Sequence, residues 1–143
     1  MIVWLASYPK SGNTWVRSFI TAYYFCENGI FDINKLNLIE DYPNKQFFKE
    51  KVKQGEIHKH WETSQKDIRD QKKVKFLKTH NSLITAFGND FTKPEYTLGV
   101  IYVIRDPRNV ITSVKNHNDL DTYDEALKFM QDENKVLEDY PHL

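Results

Sequence analysis

The hydrophobic pattern along this 143-residue chain changes period several times, and each change marks an element. Residues 2–8 begin with a continuous apolar run, Ile2-Val3-Trp4-Leu5-Ala6, that does not alternate. A short unbroken run of this kind reads as a strand buried on both faces. Residues 14–26 switch to helical spacing: Trp15, Phe19, Ala22, Tyr23 and Cys26 recur on one side, and Asn28-Gly29 is a stop signal. The plain expectation for this stripe, as for most aromatic residues in the chain, is core packing.

From 30 to 73 no long period holds. Phe31, Ile33, Leu36, Leu38 and Ile39 are apolar, and Asp41-Tyr42-Pro43-Asn44 reads as a turn. Residues 45–53 and 62–71 read as short helices with polar faces, placed where such segments cover a ligand mouth and help recognise an acceptor. His58-Lys59-His60 would put two imidazoles on one face of a strand. No cysteine or carboxylate pair nearby completes a metal set, so a surface or hydrogen-bonding role is expected. A short strand follows at 74–79, then a loop over 81–96 with a short helix at 82–87 and turns at Gly88-Asn89-Asp90 and Lys93-Pro94-Glu95.

Residues 97–105 form the clearest strand. It is β-branched, apolar on both faces and long enough to be central in a sheet. Asp106 as N-cap and Pro107 at the first helical position start a helix to about His117, burying Val110, Ile111 and Val114. A last helix over 122–140 begins with a Thr122–Glu125 capping box and is ended by Pro141. Its apolar stripe is Tyr123, Ala126, Leu127, Met130, Leu137 and Tyr140. Strands alternating with helices predict one α/β domain, a parallel sheet flanked by helices, over 1–143.

Composition narrows the function. Lys plus Arg, at 20, equals Asp plus Glu, at 20, so any anion site is local. That balance argues against a general nucleic-acid or membrane-surface binder. One cysteine, Cys26, excludes an internal disulfide and suits a reducing, cytoplasmic setting. The apolar start is too short for a membrane span and lacks the charged region of a signal peptide.

The chemistry concentrates at strand ends. Ser7-Tyr8-Pro9-Lys10-Ser11-Gly12-Asn13-Thr14-Trp15 turns a strand directly into a helix, a ready phosphate cradle. It fits the P-loop pattern in part: Gly12 and Thr14 are in frame, Ser7 replaces the first glycine, Asn13 replaces the lysine, and Lys10 sits inside the loop. Lys78 and His80, two apart, share a face at the end of their strand, beyond which α/β sheets bind ligands. On residues alone, a solvated Lys78 and a capping or loop His80 are the plainer reading. Asp106 is open to reading as the metal-binding acid of an ordinary P-loop NTPase.

The segment from Tyr8 to Trp15 closely resembles the 5′-phosphosulfate loop of the cytosolic-type sulfotransferases. These transfer a sulfuryl group from 3′-phosphoadenosine 5′-phosphosulfate (PAPS). Lys78-Thr79-His80 resembles that family's Lys-Thr-His signature, and Tyr102-Val103-Ile104-Arg105-Asp106-Pro107-Arg108-Asn109-Val110-Ile111-Thr112-Ser113 resembles its 3′-phosphate motif. The resemblance implies a P-loop-containing nucleotide-binding fold and PAPS as donor, with no metal. It implies that Lys10 meets the bridging oxygen of the donor and that His80 is the catalytic base, with Lys78 stabilising the transferring group. It implies that Ser11, Gly12, Asn13 and Thr14 hold the 5′-phosphate, Trp15 packs on adenine, and Arg105 and Ser113 hold the 3′-phosphate. Asn13 stands where the family commonly has threonine, and Asn81-Ser82 where it often has Leu-Pro. The family's C-terminal Arg-Lys-Gly loop is not in this sequence. Against that pattern the chain is C-terminally truncated: a short member, a fragment, or a chain completed by self-association or a partner. Three readings follow: a sulfotransferase acting on a small-molecule hydroxyl or amine, a non-catalytic nucleotide-binding fragment of the same fold, or a small Mg-ATP kinase.

Overall fold

A computed structural model describes residues 1–48, 52–53 and 55–132 of the chain. Three parallel ladders build its main sheet. Strand β1 (Ile2–Ser7) runs between β3 (Lys75–Thr79) and β6 (Thr97–Val103), and β2 (Glu40–Asp41) extends the β3 side, giving the order β2-β3-β1-β6. Because all four run the same way, their carboxyl ends line one edge of the domain. The expected α/β class, a parallel sheet flanked by helices, is what the chain forms.

The strand β1 is buried as its unbroken apolar run requires: Ile2, Trp4 and Leu5 are almost wholly inaccessible. In the parallel register Trp4 lies beside Leu77, so the two share a face. On that face they join Tyr42, Ile57, Trp61, Ile68 and Phe91 in the main core, covered by α2 (Trp61–Asp70). The opposite face carries α1 (Asn13–Phe25), whose Tyr24 ring lies 5.0 Å from Phe76 of β3. A smaller core joins α3 (Pro107–His117) to α4 (Tyr123–Gln131) through Val110, Val114 and Ala126, with Tyr8 against it. Both helices begin with the expected caps: Asp106 accepts from the Arg108 N–H at 2.9 Å, and Thr122 and Glu125 form the capping box.

A buried polar network fastens the core to the sheet. Gln65 is fully buried and donates to the Phe91 carbonyl at 2.6 Å, while Thr92 donates to Gln65 Oε1 at 2.6 Å. The Tyr42 hydroxyl sits 2.7 Å from Ser64 Oγ, and burial pushes its pKa up to about 12. Satisfying these groups internally is what permits them inside a core.

Several local expectations are corrected. Residues 97–105 were expected to form a central strand, yet β6 is an edge of the sheet among the described residues. Its Val100 is 57% exposed and Tyr102 63%. Continuous apolarity reports what a strand could bury, not what lies beside it. No helix forms over 82–87: Thr85–Ala86 (β4) and Asn89–Asp90 (β5) make a hairpin closed by Phe87 and Gly88, both at positive φ. A turn at Gly88 was expected, but the hairpin eluded sequence reading because phenylalanine is a rare occupant of the left-handed region. His58 and His60 lie in a 3₁₀ turn, Ile57–His60, rather than on a strand. Further 3₁₀ turns at Glu27–Gly29, Ile33–Leu38 and Lys45–Phe47 explain why no long period held there. The stripe of α1 is reversed: Trp15 is 74% and Tyr23 79% exposed, while polar Asn13, Arg17 and Thr21 face inward. The last helix is described as Tyr123–Gln131, and the expectations for Leu137, Tyr140 and Pro141 lie outside the described residues.

The contrast between β1 and β6 sets different costs for the same kind of truncation. Leu5→Ala should lower unfolding stability by about 2–5 kcal/mol, and Val100→Ala by less than ~1 kcal/mol. Urea titrations of the two variants measure the difference, and equal losses would contradict the edge position of β6.

Candidate active site

The carboxyl ends of β1, β2 and β3 open into a cleft of about 920 Å³. Its walls include Lys10, Gly12, Asn13, Thr14 and Trp15 from the β1–α1 loop, Asp41 from β2, and Lys78, His80 and Asn81 from β3 and its exit. Ser113 and His117 of α3 and Asp132 beyond α4 complete the wall. Most of the residues singled out in the sequence therefore meet in one cleft. Ser11 and Arg105 are not on its wall. Ser11 is buried beneath the loop, and exposed Arg105 reaches that loop by a hydrogen bond.

The loop is shaped by its own backbone. Gly12 adopts φ 101°, and a Cβ there would meet nothing within 4 Å, so the glycine is required by conformation rather than by space. Lys10 also lies in the left-handed region, at φ 66°. Its carbonyl accepts a 3.1 Å hydrogen bond from Arg105, which ties the turn after β6 to the turn after β1. The start of α1 has no side-chain cap and no acid in its first turn. The first N–H groups of a helix lack a partner one turn back and carry partial positive charge, so this end suits an anion. Asn13 departs from the expectation that its side chain donates to that anion. Its amide donates inward, to the Leu5 carbonyl at 3.1 Å and Ser7 Oγ at 3.0 Å, leaving its main-chain N–H to offer.

His80 is held from β1. Its Nδ1 lies 2.8 Å from the Ser7 carbonyl and 3.2 Å from Ser7 Oγ. A carbonyl only accepts, so Nδ1 carries the hydrogen and Nε2 keeps its lone pair. Burial pushes the His80 pKa below the usual imidazole value. The Ser7 carbonyl and Asp41 oppose that shift, and Lys78 adds to it. Burial thus favours the neutral form of the His80 imidazole over the imidazolium. Lys78 Nζ is 3.0 Å from Asp41 Oδ1, and the same oxygen is 3.7 Å from Arg17. The sequence reading gave Asp41 and Asn81 no role in the site; Asn81 Nδ2 is buried with no hydrogen-bond partner among the described residues. Asp106 caps α3 and chelates Arg108 at 2.6 Å, so its carboxylate is engaged away from the cleft.

Fold and cleft together define an α/β domain of the P-loop type, with an uncapped helix N-terminus beside a half-buried imidazole. A family model described as the sulfotransferase domain matches residues 2–141, and the chain belongs to that family. No curated protein and no solved structure matches it. The general chemistry of this family is sulfuryl transfer. No helix among the described residues is long and apolar enough to cross a membrane.

The burial of His80 has a linked effect on stability. Its folded pKa lies below its unfolded value of about 6.5, so the unfolded chain binds the proton more readily. Unfolding stability should fall as pH drops below ~6.5, and His80→Asn should flatten that slope. Urea midpoints between pH 5 and 8, beside an NMR titration of the imidazole, measure both. A midpoint at or above the ordinary value would contradict the assigned environment.

Proposed function

We propose that this chain moves a sulfuryl group from PAPS to a hydroxyl or amine of a small-molecule acceptor. The observation that carries the reading is the pairing, in one cleft, of an uncapped helix N-terminus with a histidine whose Nε2 is free to take a proton. In-line transfer asks for positioning and for stabilisation of charge as it develops, with little covalent work by the protein.

The residues fit the donor in distinct ways. Main-chain N–H groups of 12–14, with the Thr14 hydroxyl, suit the 5′-phosphate, while buried Ser11 already donates its N–H to the Tyr8 carbonyl at 3.2 Å and shapes the loop from within. Arg105 and Ser113 flank the turn after β6 and suit the 3′-phosphate, as a guanidinium fork and a hydroxyl would. Exposed Trp15, on the cleft wall, presents a ring to the adenine. Parallel β1 and β6 are neighbours, so both turns lie side by side and a nucleotide with two separated phosphates has a binding group at each end.

During transfer, the bond from sulfur to the bridging oxygen breaks as the bond from the acceptor atom to sulfur forms. Lys10 answers the negative charge appearing on the departing nucleotide phosphate, a role that falls to a cation from the loop because sulfuryl carries less charge than a terminal phosphoryl group. His80 Nε2 accepts the acceptor's proton while the Ser7 carbonyl stabilises the resulting imidazolium through Nδ1–H. Lys78 stabilises the transferring oxygens.

Calorimetry with 3′-phosphoadenosine 5′-phosphate against ATP–Mg²⁺ tests the donor. Tighter binding of the 3′-phosphorylated nucleotide is expected, and preference for ATP–Mg²⁺ would overturn the reading. Radiolabelled-sulfate transfer over phenols, alcohols, amines and sugars tests the reaction. Lys10→Ala and His80→Ala should each lose at least about 100-fold in rate. Arg105→Ala should mainly weaken nucleotide binding. Full transfer by His80→Ala would remove it as the base, and nucleotide binding without transfer to any acceptor would leave the fold a binding module.

A further inference from the structure

The β2 strand is two residues long, yet it puts a carboxylate at the centre of the cleft's cations. In the parallel register Asp41 lies directly beside Lys78, and paired residues of neighbouring strands point to the same face. The Tyr42 N–H donates to the Lys78 carbonyl at 2.8 Å, so backbone and side chain both lock this pair. Tyr42 is itself anchored in the buried Ser64–Gln65 network, which stops β2 from sliding along β3. On its other side Asp41 Oδ1 lies 3.7 Å from Arg17. Arg17 is 8% exposed and held by the Leu36 carbonyl and Asn37 Oδ1 at 3.2 and 3.3 Å.

We infer that Asp41 is a positioning residue for transfer: it clamps Lys78 beside His80 and offsets the Lys78 charge that His80 would otherwise face. The inference rests on the sulfuryl-transfer reading for its kinetic consequences. The physical reasoning is simple. A lysine side chain is long and flexible, and an ammonium at the strand end would range through the cleft without a partner. An unbalanced ammonium beside an imidazole also disfavours the imidazolium that proton transfer must form. A carboxylate in register with the lysine answers both problems and does not have to touch substrate. The groups facing His80 are Ser7 from β1, Lys78 from β3 and Asp41 from β2. Lys10, His117 and Asp132 line the same cleft.

The decisive comparison is between Asp41→Asn and Lys78→Ala. Without the carboxylate, imidazolium loses a stabiliser, so the His80 midpoint should fall. Without the ammonium, it should rise. NMR titration of the free protein reads both shifts without any substrate, so this arm stands even if transfer is never found. In the transfer assay, the acidic limb of the pH–rate profile should move the same two ways. Asp41→Asn should lower kcat about tenfold, the scale of one broken ionic contact in a network. The Kd for 3′-phosphoadenosine 5′-phosphate should stay within about twofold, as for a substitution outside the nucleotide's contacts. Asp41→Glu should restore the His80 midpoint in full and kcat in part. A His80 midpoint unmoved by Asp41→Asn, or moved the same way by both variants, would overturn the clamp. Loss of nucleotide binding in Asp41→Asn with an unchanged His80 midpoint would do so as well.

Discussion

The parallel register of β1 against both of its neighbours is the constraint on which the site depends. Ladders to β3 and β6 bring three chain segments, far apart in sequence, to one edge of the sheet. The loop at Lys10 and the exit of β3 at His80 then face a common cleft, and Arg105, off its wall, reaches the loop by a hydrogen bond to the Lys10 carbonyl. Two cross-links refine that arrangement. The Ser7 carbonyl orients His80, and Arg105 holds the carbonyl of Lys10. Each joins the end of β1 to the end of one neighbour. A slip of β1 by one residue would turn Ser7 to the other face and undo the first link.

Charge in the cleft is managed locally, as a chain with equal numbers of acids and bases requires. The N-terminal end of α1 has no acid to spoil its affinity for anions, and Asp41 sits instead among Lys78 and Arg17. Cations are therefore graded around the site. Lys78 is compensated, Arg17 is buried and bound, and Arg105 is engaged with the loop. The result is a cleft whose charge is balanced locally and does not make the whole surface basic.

Much of this was legible in the sequence because it is written in local signals. A strand that turns straight into a helix at Gly12, a cap and proline at Asp106-Pro107, and a capping box at Thr122 and Glu125 each act within a few residues. Signals that depend on distant partners were not legible. The polar face of α1 is buried because the Leu36 carbonyl, Asn37 and Asp41 meet Arg17, leaving the aromatic stripe outside. Asp41 read as part of a turn, since its importance comes only from its register with Lys78. Strand β6 read as central because its residues are apolar on both sides, although burial is decided by neighbours. Asn13 read as an anion donor, but β1 already occupies its side-chain amide.

The central claim is that the turns after β1 and β6 grip one nucleotide together. Amide NMR of the wild-type protein, titrated with 3′-phosphoadenosine 5′-phosphate, reads this directly. The account predicts shifts at residues 10–14 and at Arg105 and Ser113 that saturate with a single Kd, while the β4–β5 hairpin stays still. Shifts confined to one of the two turns, or saturating with two unrelated constants, would contradict it.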